Sequence, residues 1–131
     1  MQIHQSAEDY LETILMLTQR MGKVRSIDVV NELGFTKASV SIAMKKLREN
    51  GYIAVDGEGN LTLLEPGREI AERIYSRHRL LTHFFVQLGV DEEVAAEDAC
   101  KAEHILSEQT LKKIREYALL HDAEDSVQKS E

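Results

Sequence analysis

The feature that most constrains this chain is a change of apolar period at Gly51. Three segments before it carry apolar side chains at helical spacing, and each ends at a glycine. The first holds Tyr10, Leu11, Ile14, Leu15, Leu17 and Thr18; Ser6 is placed to cap it, with Asp9 three residues on, and Gly22 closes it. In SIDVVNELG, Ser26 reads as the N-cap, Ile27, Val30 and Leu33 as the apolar stripe, and Gly34 as the C-cap. A third helix, from about Thr36 to Asn50, turns Val40, Ala43, Met44 and Leu47 inward. Past Gly51 the pattern becomes that of strands: Tyr52, Ile53 and Val55, a turn-rich Asp56–Asn60 tip, then Leu61–Leu64. Three helices followed by a hairpin is the order of a winged helix-turn-helix.

The remainder is helical. Pro66-Gly67 opens a long helix to about Leu88, with Ile70, Ile74, Tyr75, Leu80, Leu81, Phe84 and Phe85 apolar, and Gly89 breaks it. A helix from about Asp91 to Leu106 has an acidic first turn, which suits a helix N-terminus. Ser107 caps a last helix from Glu108 to about Leu120, and the tail DAEDSVQKSE is expected to fray. The fold class is therefore mainly α with a small β-hairpin. Residues 1–70 form a winged helix-turn-helix and 71–131 a helical domain. Some sixty residues in three helices are marginal alone and gain from a shared face, so a homodimer is expected through some of Leu80, Leu81, Phe84, Phe85, Leu106, Leu111 and Ile114.

Composition narrows the setting. The 131 residues are 43% apolar and 30% charged, an ordinary globular balance. No apolar run approaches the roughly 20 residues that span a bilayer, and the N-terminus lacks a signal-peptide pattern. A single cysteine excludes an internal disulfide framework. The expectation is a cytoplasmic chain without membrane contact, Cys100 being reduced. Net charge is −7, which argues against indiscriminate nucleic-acid binding. The charge is uneven, however. Between residues 20 and 50, Arg20, Lys23, Arg25, Lys37, Lys45, Lys46 and Arg48 face only Asp28, Glu32 and Glu49. A basic segment in an acidic protein suits a DNA reader with restrained background affinity.

The second and third helices, joined at Gly34-Phe35, form a helix-turn-helix pattern. The leading residues of the second of these would meet base edges in the major groove. They are Thr36, Lys37, Ala38, Ser39 and Ser41. Ala38 permits close approach and contact with a thymine methyl, the serines donate or accept, and Lys37, Lys45, Lys46 and Arg48 reach phosphates or bases. The hairpin is the wing. Surface lysines on an amphipathic helix are also commonly just solvated.

A second constellation is metal-ligating. Cys100, Glu103 and His104 stand at i, i+3 and i+4, which share a helix face. Thiolate, carboxylate and imidazole are a credible transition-metal set. Asp9 and Glu12 are a further i, i+3 pair, and His78 lies mid-helix. Each has an ordinary reading as well. Asp9 can help cap its helix, Glu12 be solvated, His78 be hydrogen-bonded, Cys100 fill a core, and Glu103 and His104 lie on the surface. Spacing alone does not show that the three helices converge.

With these residues set out, the sequence resembles the metal-dependent repressors of the diphtheria toxin repressor and manganese transport regulator type. The matching stretches are AEDYLETILML (7–17), the helix-turn-helix through KLRENGYI (46–53), LTLLEPGREIAERIYSRHRLL (61–81), LGVDEE (88–93) and DACKAEHILSE (98–108), about residues 5–120 in all. The resemblance implies a winged helix-turn-helix followed by a helical dimerisation domain. It implies a repressor whose affinity for double-stranded operator DNA rises with Mn(II) or Fe(II). By position Asp9, Glu12, His78, Glu103 and His104 fall on the family's ligands, and Cys100 on a further one. A short form, without the SH3-like domain of longer members, is expected.

The chain departs from both branches. The iron branch shares Cys100 but usually has Met at the place of Asp9. The manganese branch shares Asp9 and Glu12 but often has Glu at the place of Cys100. Thr82 stands where both commonly carry a carboxylate, and Ala96 where the iron branch has a histidine ligand, which puts an ancillary site in doubt. Hard carboxylates suit Mn(II), while the thiolate favours Fe(II), Co(II) or Zn(II), the last two expected as ions that bind in vitro. The balance leans to Mn(II), with Fe(II) close behind. The competing reading is a winged-helix regulator without metal, sensing redox state through Cys100. A metalloenzyme would leave the basic helix-turn-helix without a purpose, so neither catalysis nor a small organic substrate is expected. A plain partner-binding helical domain would have no sequence-specific DNA affinity.

Overall fold

Helix ends in the first half of the chain coincide with left-handed backbone at Gly22, Gly34 and Gly51, where φ is 85°, 71° and 79°. The computed structural model describes residues 5–129, with side chains through residue 123. Among the described residues the order is α1 Gln5–Met21, α2 Ser26–Leu33, α3 Lys37–Glu49, β1 Ile53–Val55, β2 Leu61–Leu63, α4 Glu65–Gln87, α5 Glu92–Ala102 and α6 Glu108–Lys129. Three helices, a hairpin and three helices are the expected fold class. The chain divides into two compact units, 1–74 and 75–131, with α4 contributing to both.

In the first unit, α1 buries Tyr10, Leu11, Ile14, Leu15 and Leu17. Val24, Val29, Val40, Met44, Leu47, Ile53, Leu61 and Leu63 are buried with them. Two caps differ from expectation. Ser6 lies inside α1 rather than capping it, because the helix already runs from Gln5. Arg25, not Ser26, takes the N-cap of α2, and Asp28 Oδ2 accepts its N–H at 2.9 Å. Arginine is a poor capping type; tertiary structure holds it extended, through a backbone bridge to Asn60 and a guanidinium hydrogen bond to the Glu58 carbonyl. Of the expected stripe, Val30 and Leu33 are half-buried but Ile27 is exposed, and Val29 is the residue that is fully buried.

The wing is an antiparallel pair, Ile53 opposite Leu63 and Val55 opposite Leu61. At its tip Asp56 Oδ1 accepts the N–H groups of Glu58 and Asn60, and Oδ2 accepts the Asn60 side-chain amide. The Asn60 hydrogen bonds dominate and hold the Asp56 carboxyl below the usual aspartate value. Gly67, in the first turn of α4, passes so close to β1 that an added Cβ would run into the Tyr52 carbonyl oxygen.

In the second unit Leu81, Ala99 and Leu111 form a core against which Leu80, Phe85, Ala102, Leu106 and Ile114 pack. Phe84 meets Tyr117 edge-on at 5.8 Å. Ser107 caps α6, its Oγ accepting the Thr110 N–H at 3.2 Å. Two helix ends are corrected. The first falls at Ala102 rather than Leu106, with a turn before the Ser107 cap starts α6. The second runs on to Lys129 instead of stopping near Leu120; the last two residues of the tail lie outside the described residues. Ala, Glu, Gln and Lys with neither Gly nor Pro let a started helix propagate without an apolar stripe. Among the described residues no helix is long and apolar enough to cross a membrane.

Candidate metal centre and nucleic-acid interface

The donor cluster of the second unit is built by the end of α5. Glu103 still has helical backbone (φ −59°, ψ −23°) and donates its N–H to Ala99 O at 2.9 Å, so it stays on the Cys100 side of the helix. His104 lies in the following turn and not on a helix face as expected. Nor are these two surface residues: Glu103 is wholly buried and the His104 side chain is 2% exposed. Arg77 fixes the turn, donating to the Glu103 carbonyl at 3.2 Å and pairing with Glu108. Arg77 is not legible as a site residue from the sequence. It is one of several charged residues along α4, and only its place beside His78 sets it apart.

His78, on α4, brings Nδ1 to 3.0 Å from Glu103 Oε2 and 3.8 Å from Cys100 Sγ. One donor atom from each of His78, Cys100 and Glu103 lies within 4.8 Å of the others. The hydrogen bonds to Cys100 and to Glu103 hold the His78 imidazolium up to about 10, against the burial that lowers it. The second Glu103 oxygen, Oε1, lies 3.4 Å from His104 Nε2 but accepts no hydrogen bond. A buried carboxylate oxygen in that position is costly unless positive charge reaches it. The sulfur, imidazole and carboxylate donors of Cys100, His78 and Glu103 fit a divalent transition metal, which would compete with protons for them. Thr82, one turn on from His78, donates its hydroxyl to the His78 carbonyl at 2.8 Å and is thereby spent on the helix backbone. Ala96 has no donor to offer.

In the first unit, Asp9 and Glu12 stand one turn apart on α1, Asp9 half-buried and Glu12 5% exposed. A carboxylate so buried is not the solvated face that the ordinary reading supposed. Thr36, the N-cap of α3, and Lys37, Ala38, Ser39, Ser41, Lys45 and Lys46 on it are all exposed. The hydroxyls of Thr36 and Ser39 are engaged at the helix start. Thr36 Oγ1 accepts the Ser39 N–H at 3.1 Å and donates to Ser39 Oγ at 2.8 Å. They position α3; Ala38, Ser41 and the lysines remain to face outward. Phe35, in the turn before α3, packs edge-on against Tyr10 at 5.9 Å and ties the helix-turn-helix to α1.

Comparison with known proteins agrees with this architecture. Residues 2–61 match the iron dependent repressor N-terminal DNA binding domain, and residues 64–122 the iron dependent repressor metal binding and dimerisation domain. An uncharacterised HTH-type transcriptional regulator of Methanocaldococcus jannaschii is 35% identical over 113 residues, 85% of this chain and 90% of that one. The HTH-type transcriptional regulator MntR of Bacillus subtilis is 32% identical over 124 residues, 95% and 87% respectively. Among solved structures, a manganese-dependent transcriptional repressor in complex with manganese superposes with a TM-score of 0.78 at 29% identity, over 86% of this chain. This chain covers 52% of that structure, about half its length. The chain belongs to the iron-dependent repressor family.

Proposed function

We propose that this protein is a metal-activated transcriptional repressor of metal-ion homeostasis that binds operator DNA as a homodimer in the cytoplasm, without catalytic activity. The observation that carries the reading is the His78–Cys100–Glu103 donor group in a chain whose other unit is a winged helix-turn-helix. The names of the manganese-dependent structure and of the MntR relatives support it. His78, Cys100, Glu103 and His104 would hold the ion from the second unit, with Asp9 and Glu12 contributed by the first. A divalent cation bound there supplies positive charge that cancels repulsion among the carboxylates. The protein's own residues do the rest. Thr36 and Ser39 set the start of α3; Lys37, Lys45 and Lys46 meet phosphates; Ala38 and Ser41 meet base edges. Asp9 and Glu12 argue for Mn(II), and Cys100 keeps Fe(II) close and lets Zn(II) or Co(II) bind in vitro. With Thr82 tied to its helix and Ala96 inert, no ancillary site is assigned.

Selection of duplexes from random sequence, in Mn(II) and in chelator, tests the proposal. A common motif enriched only with metal is the expected result. Enrichment of the same motif in chelator would leave a winged-helix regulator without this switch, and no enrichment in either would remove DNA recognition altogether.

A further inference from the structure

The outward face of α3 carries an apolar residue that the charge pattern conceals. Ile42 is 58% exposed, in a helix whose core contacts are Val40, Met44 and Leu47. At roughly 100° per residue, Ala38, Ile42 and Lys45 lie on the side opposite those three, while Ser41 falls on the flank. Lys45 lies on this strip and Lys46 at its edge, Lys37 and Arg48 lie on a flank nearer the core, and Glu49 ends the strip at the last turn; the four cations would hold the helix against a polyanion. Isolated exposed apolar side chains are ordinary on protein surfaces. This one stands on the outward strip between Ala38, which has no more than a methyl group, and Lys45. With the Thr36 and Ser39 hydroxyls engaged at the helix cap, Ala38 and Ile42 offer a base no hydrogen-bonding side chain, which leaves Ser41 on the flank and Lys45 a turn further on to do so.

We infer that Ile42 is a specificity-determining residue that reads the C5-methyl group of a thymine in the major groove, with Ala38 beside it allowing close approach. Thymine alone among the bases presents a methyl group there. The inference rests on the regulator reading above and names part of what its interface recognises.

The test uses the full chain with Mn(II) and a duplex it has selected. Each thymine of the motif is replaced in turn by deoxyuridine, which removes only the C5-methyl. At one thymine per half-site the wild type should lose about fourfold in affinity, the worth of one buried methyl group. Ile42→Ala should bind the thymine and uracil duplexes equally at that position, while its salt dependence stays that of the wild type because the phosphate contacts are unchanged. Ile42 is exposed, so its truncation opens no core cavity. Equal affinity of the wild type for thymine and uracil at every position would overturn the inference. So would an Ile42→Ala variant that keeps the discrimination, which would move the methyl contact to Ala38. Failure to select any duplex would instead overturn the regulator reading, and this inference with it.

Discussion

Glu103 concentrates the chemistry of the second unit. Its carboxylate is wholly buried, with one oxygen on His78 and the other beside His104 without a hydrogen bond. The sequence spacing of Cys100, Glu103 and His104 is enough to suggest a donor set. The burial of Glu103 is not legible in it, because Arg77 grips its carbonyl from another helix and no local pattern encodes that pairing. The end of α5 is hidden for a similar reason: Glu-His-Ile-Leu is compatible with helix, and only the Ser107 cap of the next helix marks the break. A prediction at this scale concerns Cys100. Cys100→Ser should abolish the near-ultraviolet thiolate-to-metal band of the Co(II)-loaded protein. It should also weaken Co(II) and Zn(II) by more than about tenfold in a competition titration, with a smaller loss for Mn(II). Absence of that band from the Co(II)-loaded wild type would remove Cys100 from the ligand set.

The elements were mostly legible, because glycines punctuate them and the period change at Gly51 separates helix from strand. What is not legible is where tertiary contacts override local preference, as at Arg25, whose extended backbone is fixed by the wing, and which apolar residue of α2 is buried, Val29 rather than Ile27. The junction of wing and α4 depends on Gly67. Gly67→Ala should lower the stability of the chain by about 1–3 kcal/mol, the usual cost of forcing atoms into a packed site, read as a lower urea midpoint at unchanged slope. A midpoint equal to wild type would show that the backbone relaxes freely there. The wing tip adds a pH term. The folded-state Asp56 carboxyl lies below its unfolded value of 3.8, so its contribution is present above that pH and is lost as pH falls through the lowered folded value. Denaturant midpoints of wild type and Asp56→Ala should therefore differ at neutral pH and converge in acid; a gap that persists at the lowest pH would contradict the assignment.

At the scale of the whole molecule, the two units carry different parts of one proposed device. The recognition helix and wing are in the first, and the donor group and the helical dimerisation region in the second. Of the apolar residues expected to serve a dimer, Leu81 and Leu111 are instead the core of their own unit, with Leu80, Phe85, Leu106 and Ile114 packed on them. Periodicity identifies such residues as apolar without saying whether the surface they cover belongs to the same chain. The proposed division of labour predicts that Asp9→Ala weakens the metal response of DNA binding while sedimentation still shows a dimer. A monomeric wild type at micromolar concentration would remove the dimer from the account. The central claim is that metal occupancy and operator affinity are coupled. A metal at a hundred times its dissociation constant shifts such an equilibrium by at most ~2.7 kcal/mol, about a hundredfold. The most direct measurement is fluorescence anisotropy of a selected operator, titrated with the chain in chelator and then in Mn(II). The account predicts tight binding with Mn(II) and an affinity up to about a hundredfold weaker in chelator; equal affinity in the two conditions would contradict it.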